Sequence, residues 1–221
     1  MSMNYFSKNI SKGLPREAKR SGGFTLTELI VVMAISSIIL TSIVIQQNSW
    51  NSALAVKTQA YDLALMIRQA QIYSLGVRED IGGSGDKFST GYGVYLDSLT
   101  TNSYIYFADR SNNKQYDTGE GTETKSLTRG VTIEKICGVR ANNVPNTRCS
   151  DESGGNIPKT VDIVFLRPDP KANITFRDSD GSVLVGGNEL ISPLTIYLKS
   201  SDNKKVLITA ESSGQISIQS I

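Results

Sequence analysis

Few residues in this chain can do chemistry. The chain contains no histidine, and its serines, aspartates and lysines show no nucleophile elbow, phosphate-binding loop or paired-acid setting, so no recognisable catalytic constellation is present and no cofactor is expected. The only thiols are Cys137 and Cys149, which form either a disulfide or two buried thiols, depending on compartment. Two thiols without an imidazole are too few for a zinc-type site. The stretch from Asp109 to Glu120 places oxygen side chains at the first, third, fifth, ninth and twelfth positions, the ligand spacing of a calcium loop, with Asp109, Asn113, Asp117 and Glu120 as candidate ligands. Lys114 occupies the sixth position, which such a loop reserves for glycine, so a solvated hairpin tip of ordinary turn residues is the preferred reading. Glu28 remains. It is a lone carboxylate at the head of the apolar run 29–45, and a charge at the edge of a hydrocarbon span is costly enough to be read as functional.

The elements that must position these groups follow from periodicity. No proline or glycine interrupts residues 24–75. Beyond the apolar run, Val56, Ala60, Leu63, Ile67, Ala70 and Val77 recur at steps of four and three, with Ser74 filling the missing place and Lys57, Asp62 and Arg68 off the stripe. One helix roughly 80 Å long is predicted. Its first half would lie in lipid and its second half on a domain, ending at Gly76 and the Gly82-Gly83-Ser84-Gly85 run. From Gly91 onward short β-like runs separated by turn residues predict strands at 92–96, 104–108, 131–136, 161–166, 173–176, 194–199, 206–209 and 215–218. The fold class is therefore α+β, with a long N-terminal helix packed on an antiparallel sheet. The boundaries are a basic N-terminal leader at 1–23, an apolar helix at 24–46, its continuation at 47–77 and a β-rich domain at 78–221.

Charge orients the chain. Of 221 residues, 39% are hydrophobic and 20% charged, which suits one anchor plus a modest domain. The nominal charge of +2 comes from the leader, where Lys8, Lys12, Arg16, Lys19 and Arg20 face only Glu17. Without the leader the chain is slightly acidic, which removes the electrostatic case for a general nucleic-acid binder. Cations on one side of the span, with no further charge until Lys57, predict an N-in, C-out single pass in the cytoplasmic membrane. An exported domain turns the cysteine pair toward a disulfide closing a polar, turn-rich loop. An ordinary signal peptide cleaved near Ala53-Leu54-Ala55 fits poorly, since the apolar run exceeds a usual signal core and that site lies inside the helical pattern.

The order Gly22-Gly23-Phe24-Thr25-Leu26-Thr27-Glu28, behind a basic leader and ahead of the apolar span, resembles the prepilin signal of type IV pilins and pseudopilins. The resemblance implies cleavage after Gly23 by prepilin peptidase, N-methylation of Phe24, and a mature fifth-position glutamate, Glu28, that pairs with a neighbouring subunit's N-terminal amine during assembly. It implies as partners other pilin or pseudopilin subunits, an inner-membrane assembly platform and, before assembly, the lipid bilayer. The absence of proline from the apolar half departs from many major pilins. Farther on, GYGVYLD, SYIYFADRSNNKQYDTGE and DIVFLRPDP look like the globular region of H-type minor pseudopilins and FimT-like minor pilins.

The expected function is a non-enzymatic, structural minor subunit of a type IV pilus or type II secretion pseudopilus, placed in the membrane and then in a periplasmic or extracellular filament. The alternatives are a filament-tip adhesin or DNA receptor, and a signal-anchored binding domain. The basic residues Lys125, Arg129, Lys135, Arg140 and Arg148 are read as solvated faces interspersed with acids. The aromatic residues Tyr92, Tyr95, Tyr104, Tyr106 and Phe107 are read as strand packing.

Overall fold

The computed structural model describes residues 22–76, 79–80, 90–140, 147–154, 156–185 and 189–221. The basic leader, Val77 and the two glycine-rich runs at 82–85 and 186–187 lie outside the described residues. Helix α1 spans Leu26–Leu75 without a break, as expected of a stretch free of glycine and proline. It closes where the Gly76 amide donates to the Ile72 carbonyl at 2.9 Å.

The chain divides into two compact units, one ending at Val44 and one beginning at Ile45. In the first, Leu26–Val44 forms a 19-residue apolar helical segment with none of it buried, long enough to cross a bilayer's hydrocarbon core. The second carries all the strands. They are β1 (Gly91–Asp97), β2 (Ser103–Asp109), β3 (Gly121–Ser126), β4 (Thr132–Arg140), β5 (Thr147–Cys149), β6 (Thr160–Leu166), β7 (Asp169–Arg177), β8 (Leu190–Lys199), β9 (Lys205–Ala210) and β10 (Ile216–Ser220).

The strands form two five-stranded sheets, ordered β3-β2-β1-β6-β7 and β10-β9-β8-β4-β5, with every strand pair antiparallel. The α+β class expected from periodicity holds, with two sheets where a single one was read. Runs of alternating residues announce strands but carry no mark of which sheet they join. One core unites both sheets with the helix. Val56, Ala60, Leu63, Ile67 and Ala70 are buried with Val94, Leu96 and Ile163 of the first sheet and with Ile136, Ile196 and Ile208 of the second. The predicted stripe is thus the buried face of the helix. Val206, Ile208 and Ala210 alternate inward along β9, as a strand with one wet face requires.

Two strands were missed and several were read short. β3, GTETKS, is an exposed polar edge with no apolar alternation, and β5 is only three residues long. β8 begins four residues before the predicted start and takes in Pro193. The proline falls where the β4–β8 register slips between Cys137 and Val139, and such an irregularity accommodates a residue that has no amide to donate.

The outer face of the first sheet is also covered. The ring of Tyr116, from the β2–β3 loop, lies 4.9 Å from that of Tyr95 and 5.4 Å from that of Phe107. Gly93 makes this layer possible, because a Cβ there would sit 2.8 Å from the Phe107 ring. The segment read as a solvated hairpin tip is therefore folded back onto the sheet.

Candidate functional site

Residues Gly22 to Thr25 precede the helix, and a Cβ placed on Gly22 or Gly23 would meet nothing within 4 Å. The Gly23–Phe24 peptide bond is thus open, and the Phe24 side chain is exposed. Thr25 begins the helix. Its hydroxyl accepts the Glu28 amide at 3.2 Å and its carbonyl accepts the Leu29 amide at 3.1 Å, which makes it an N-cap. The Thr-x-x-Glu spacing of a capping box was legible and went unread.

Glu28 lies in the first turn of α1, where the positive end of the helix dipole favours an anion. Its side chain is exposed, as are those of Leu26, Leu29 and Ile30 around it. Farther along the span two hydroxyls are satisfied internally. The Ser37 hydroxyl donates to the Ala34 carbonyl at 2.8 Å, and the Thr41 hydroxyl to the Ser37 carbonyl at 2.8 Å, so these side chains suit a hydrocarbon environment. What remains chemically available is an exposed Gly23–Phe24 peptide bond and one carboxylate, Glu28, set in an apolar surface.

Residues 18–44 match the family model described as the prokaryotic N-terminal methylation motif. The chain carries a type IV pilin-like prepilin signal. The matched stretch contains Gly23, Phe24 and Glu28 and ends with the apolar segment. Neither the curated proteins nor the solved structures compared with the chain give a match.

The other sequence candidates are distributed through the second unit. Cys137 and Cys149 face each other as register partners on β4 and β5 and form a disulfide with S–S 2.00 Å. In the β2–β3 loop the acids are turned onto backbone amides. Asp109 Oδ1 accepts the Asn113 amide at 3.1 Å and Oδ2 the Lys114 amide at 2.9 Å. Glu120 Oε1 accepts the amides of Arg110 and Ser111 at 2.9 and 2.8 Å, and Oε2 that of Asp117 at 3.1 Å. Asp117 Oδ2 accepts from the Asn113 side-chain amide at 2.8 Å. Lys114, at the position where a calcium loop needs glycine, has φ 65°. Asp109 is buried, and burial raises its pKa against the lowering effect of the Lys114 and Asn113 amides. Among the described residues no group of three or more acids, cysteines or histidines is arranged to hold a metal.

Three of the five basic candidates and several of the aromatic ones are likewise engaged. Lys125 pairs with Glu123 at 2.5 Å, Lys135 with Asp151 at 3.2 Å and Arg148 with Glu152 at 2.6 Å. The rings of Tyr92 and Tyr106 stack at 6.0 Å, with Tyr73 edge-on to Tyr92 at 5.9 Å. One pair escaped sequence reading. Asp162, fully buried on β6, accepts the Tyr116 amide at 3.0 Å and pairs with Arg177 of β7 at 2.8 Å, tying the β2–β3 loop to the sheet. Burial pushes its pKa up to about 7, against the pull of Arg177. Its signal was an aspartate inside an otherwise apolar strand, VDIVFL.

Proposed function

We propose that the chain is a structural minor pilin or pseudopilin, cut by prepilin peptidase between Gly23 and Phe24, N-methylated on Phe24 and assembled with other subunits into a type IV pilus or a type II secretion pseudopilus. The methylation motif at 18–44 carries this reading. The bond to be cut is exposed and lies outside the helix, which supports it. Glu28 then has a use that an ordinary membrane anchor would not give it. In a filament it pairs with the new N-terminal amine of a neighbouring subunit, two charges that are favourable together and costly apart in a low-dielectric setting. The leader stays cytoplasmic, the second unit is exported, and an inner-membrane platform recruits the mature subunit from the bilayer. The disulfide suits that oxidising compartment.

A structural role without catalysis is part of the same reading. The adhesin and DNA-receptor alternatives gain no support from Lys125, Lys135 and Arg148, because each is paired with an acid. Mass spectrometry of the protein from cells with and without prepilin peptidase tests the assignment. The expected mature N-terminus is N-methylated Phe24, formed only when the peptidase is present. An N-terminus retained at Met1 in peptidase-positive cells, or one near Ala55, overturns it.

A further inference from the structure

One end of the second sheet meets the helix in a groove of about 590 Å³, lined by Asn51, Ser52 and Ala55 of α1 and by Arg129, Ser201 and Asp202, a volume ordinary for a small-ligand cleft. Two tight turns carry its charges. Before β4 the Val131 amide donates to the Thr128 carbonyl at 3.2 Å, and Arg129 and Gly130 both have positive φ, 57° and 70°, a backbone that glycine adopts freely and arginine does not. Between β8 and β9 the Asn203 amide donates to the Ser200 carbonyl at 3.0 Å and the Lys204 amide to Ser200 Oγ at 3.1 Å. The two turns abut, since a Cβ on Gly130 would stand 3.4 Å from that of Ser201. Arg129 and Asp202 therefore line one groove from adjoining turns. Both are exposed, yet no ion pair joins them to each other or to any other described residue.

We propose that this groove seats the headgroup of phosphatidylethanolamine, with Arg129 on the phosphate and Asp202 on the ammonium. A cation and a carboxylate that line one space without pairing suit a ligand carrying both charges, each met by a charge-assisted hydrogen bond. A purely anionic group would be repelled by Asp202, and a purely cationic one by Arg129. The ethanolamine nitrogen has N–H groups to donate to Asp202, which the quaternary nitrogen of phosphatidylcholine lacks. Asn51 and Ser201 add polar hydrogens for the phosphate oxygens. Chain spacing makes the bilayer the source. Asn51, Ser52 and Ala55 follow Val44, the last residue of the apolar segment, by seven to eleven places in an unbroken helix, no more than about 17 Å along it. Trp50, just before them, is 78% exposed, and tryptophan is favoured at headgroup level. The site rests on the membrane-anchored part of the proposed function and not on processing or filament entry.

The full chain is expressed in cells lacking prepilin peptidase and extracted in a mild non-ionic detergent. It is then incubated with an equimolar mixture of phosphatidylethanolamine, phosphatidylcholine and phosphatidylglycerol of the same acyl chains, and retained lipid is read by native mass spectrometry. One phosphatidylethanolamine per chain is expected, in several-fold excess over the other two lipids. Arg129→Gln should lower its retention several-fold. Asp202→Asn should abolish the preference over the other two lipids, and Lys125→Gln, on β3 outside the groove, should change neither reading. Four outcomes overturn the proposal: equal retention of the three lipids by the parent, a preference unchanged in both groove variants, a loss in Lys125→Gln equal to that in Arg129→Gln, or displacement of the lipid by an equal concentration of soluble phosphoethanolamine. Because the cells lack the peptidase, none of these outcomes bears on cleavage at Gly23, which the N-terminal mass measures separately.

Discussion

The amide of Tyr92 donates to the hydroxyl of Ser74 at 3.1 Å, while that hydroxyl donates to the Ala70 carbonyl at 2.8 Å. The last turn of the helix is thereby joined to the first strand through one buried side chain. Ser74 occupies a core position of the helix stripe, where an apolar residue would pack equally well and leave the Tyr92 amide without its acceptor. Ser74→Ala is expected to lower the stability of a soluble fragment beginning at Ile45 by about 1–3 kcal/mol, the cost of a buried donor left unsatisfied. Urea unfolding of the two proteins measures it. A difference within about 0.5 kcal/mol, the scatter of surface substitutions, would show that the bond contributes nothing.

Ser74 also marks the limit of what the sequence could convey. The stripe that contains it was legible because helical periodicity is local, and so was the span, whose apolar run and leading Gly-Phe-Thr-Leu-Thr-Glu need no tertiary context. Most of the strands were legible for the same reason. The partner of Ser74 was not, since the spacing on the helix gives no hint of an amide 18 residues away. The division of strands between two sheets and the fold-back of Tyr116 over Gly93 were hidden for a related reason. Each depends on which distant segments meet, and single-residue patterns record only that a residue is destined to be buried. Gln71 is a further instance. Its side-chain amide donates to the Pro170 carbonyl at 3.0 Å and to that of Gly214 at 3.4 Å, joining the helix to β7 and to the β9–β10 turn, yet it reads as an ordinary surface glutamine.

Asp162 gives a pH dependence with a definite sign. Its pKa in the folded protein is raised to about 7, whereas an unfolded aspartate titrates near about 3.9. Between these values the folded state holds a proton that the unfolded state releases. The contribution of this group to stability is therefore complete below about pH 4 and is lost as pH rises through about 7. Asp162→Asn removes the titration. The stability of the parent minus that of the variant should fall between pH 4 and pH 8, read from urea midpoints at several pH values. A difference that does not change with pH would mean that Arg177 keeps Asp162 ionised throughout.

At the other end of the molecule, charge and helix capping can be separated. Glu28→Gln keeps a residue at the third helical position that suits a capping box but removes the negative charge. The variant is expected to be cleaved and methylated as the parent is, since Gly23 and Phe24 are unchanged and the peptide bond between them lies outside the helix. It should nonetheless be absent from sheared filaments, because the charge that pairs with a neighbour's amine is gone. Immunoblots of membrane and filament fractions decide the matter. Incorporation at the parental level would remove Glu28 from the assembly mechanism.

The β2–β3 loop and the disulfide make opposite predictions for the soluble fragment. Asp109 and Glu120 spend all four carboxylate oxygens on five backbone amides, so a calcium ion would have to displace bonds that already hold the loop in place. Thermal midpoints with calcium and with a chelator should coincide, since a ligand that bound only the folded state would raise the midpoint by mass action. A reductant should lower it. Opening the Cys137–Cys149 link frees a closed loop with a sequence separation of 12, worth on the order of 3 kcal/mol in the chain-entropy account. A rise of many degrees with calcium would show that Asp109, Asn113, Asp117 and Glu120 rearrange around the ion. An unchanged midpoint on reduction would show that the two sheets and the helix hold the β4–β5 hairpin without its link.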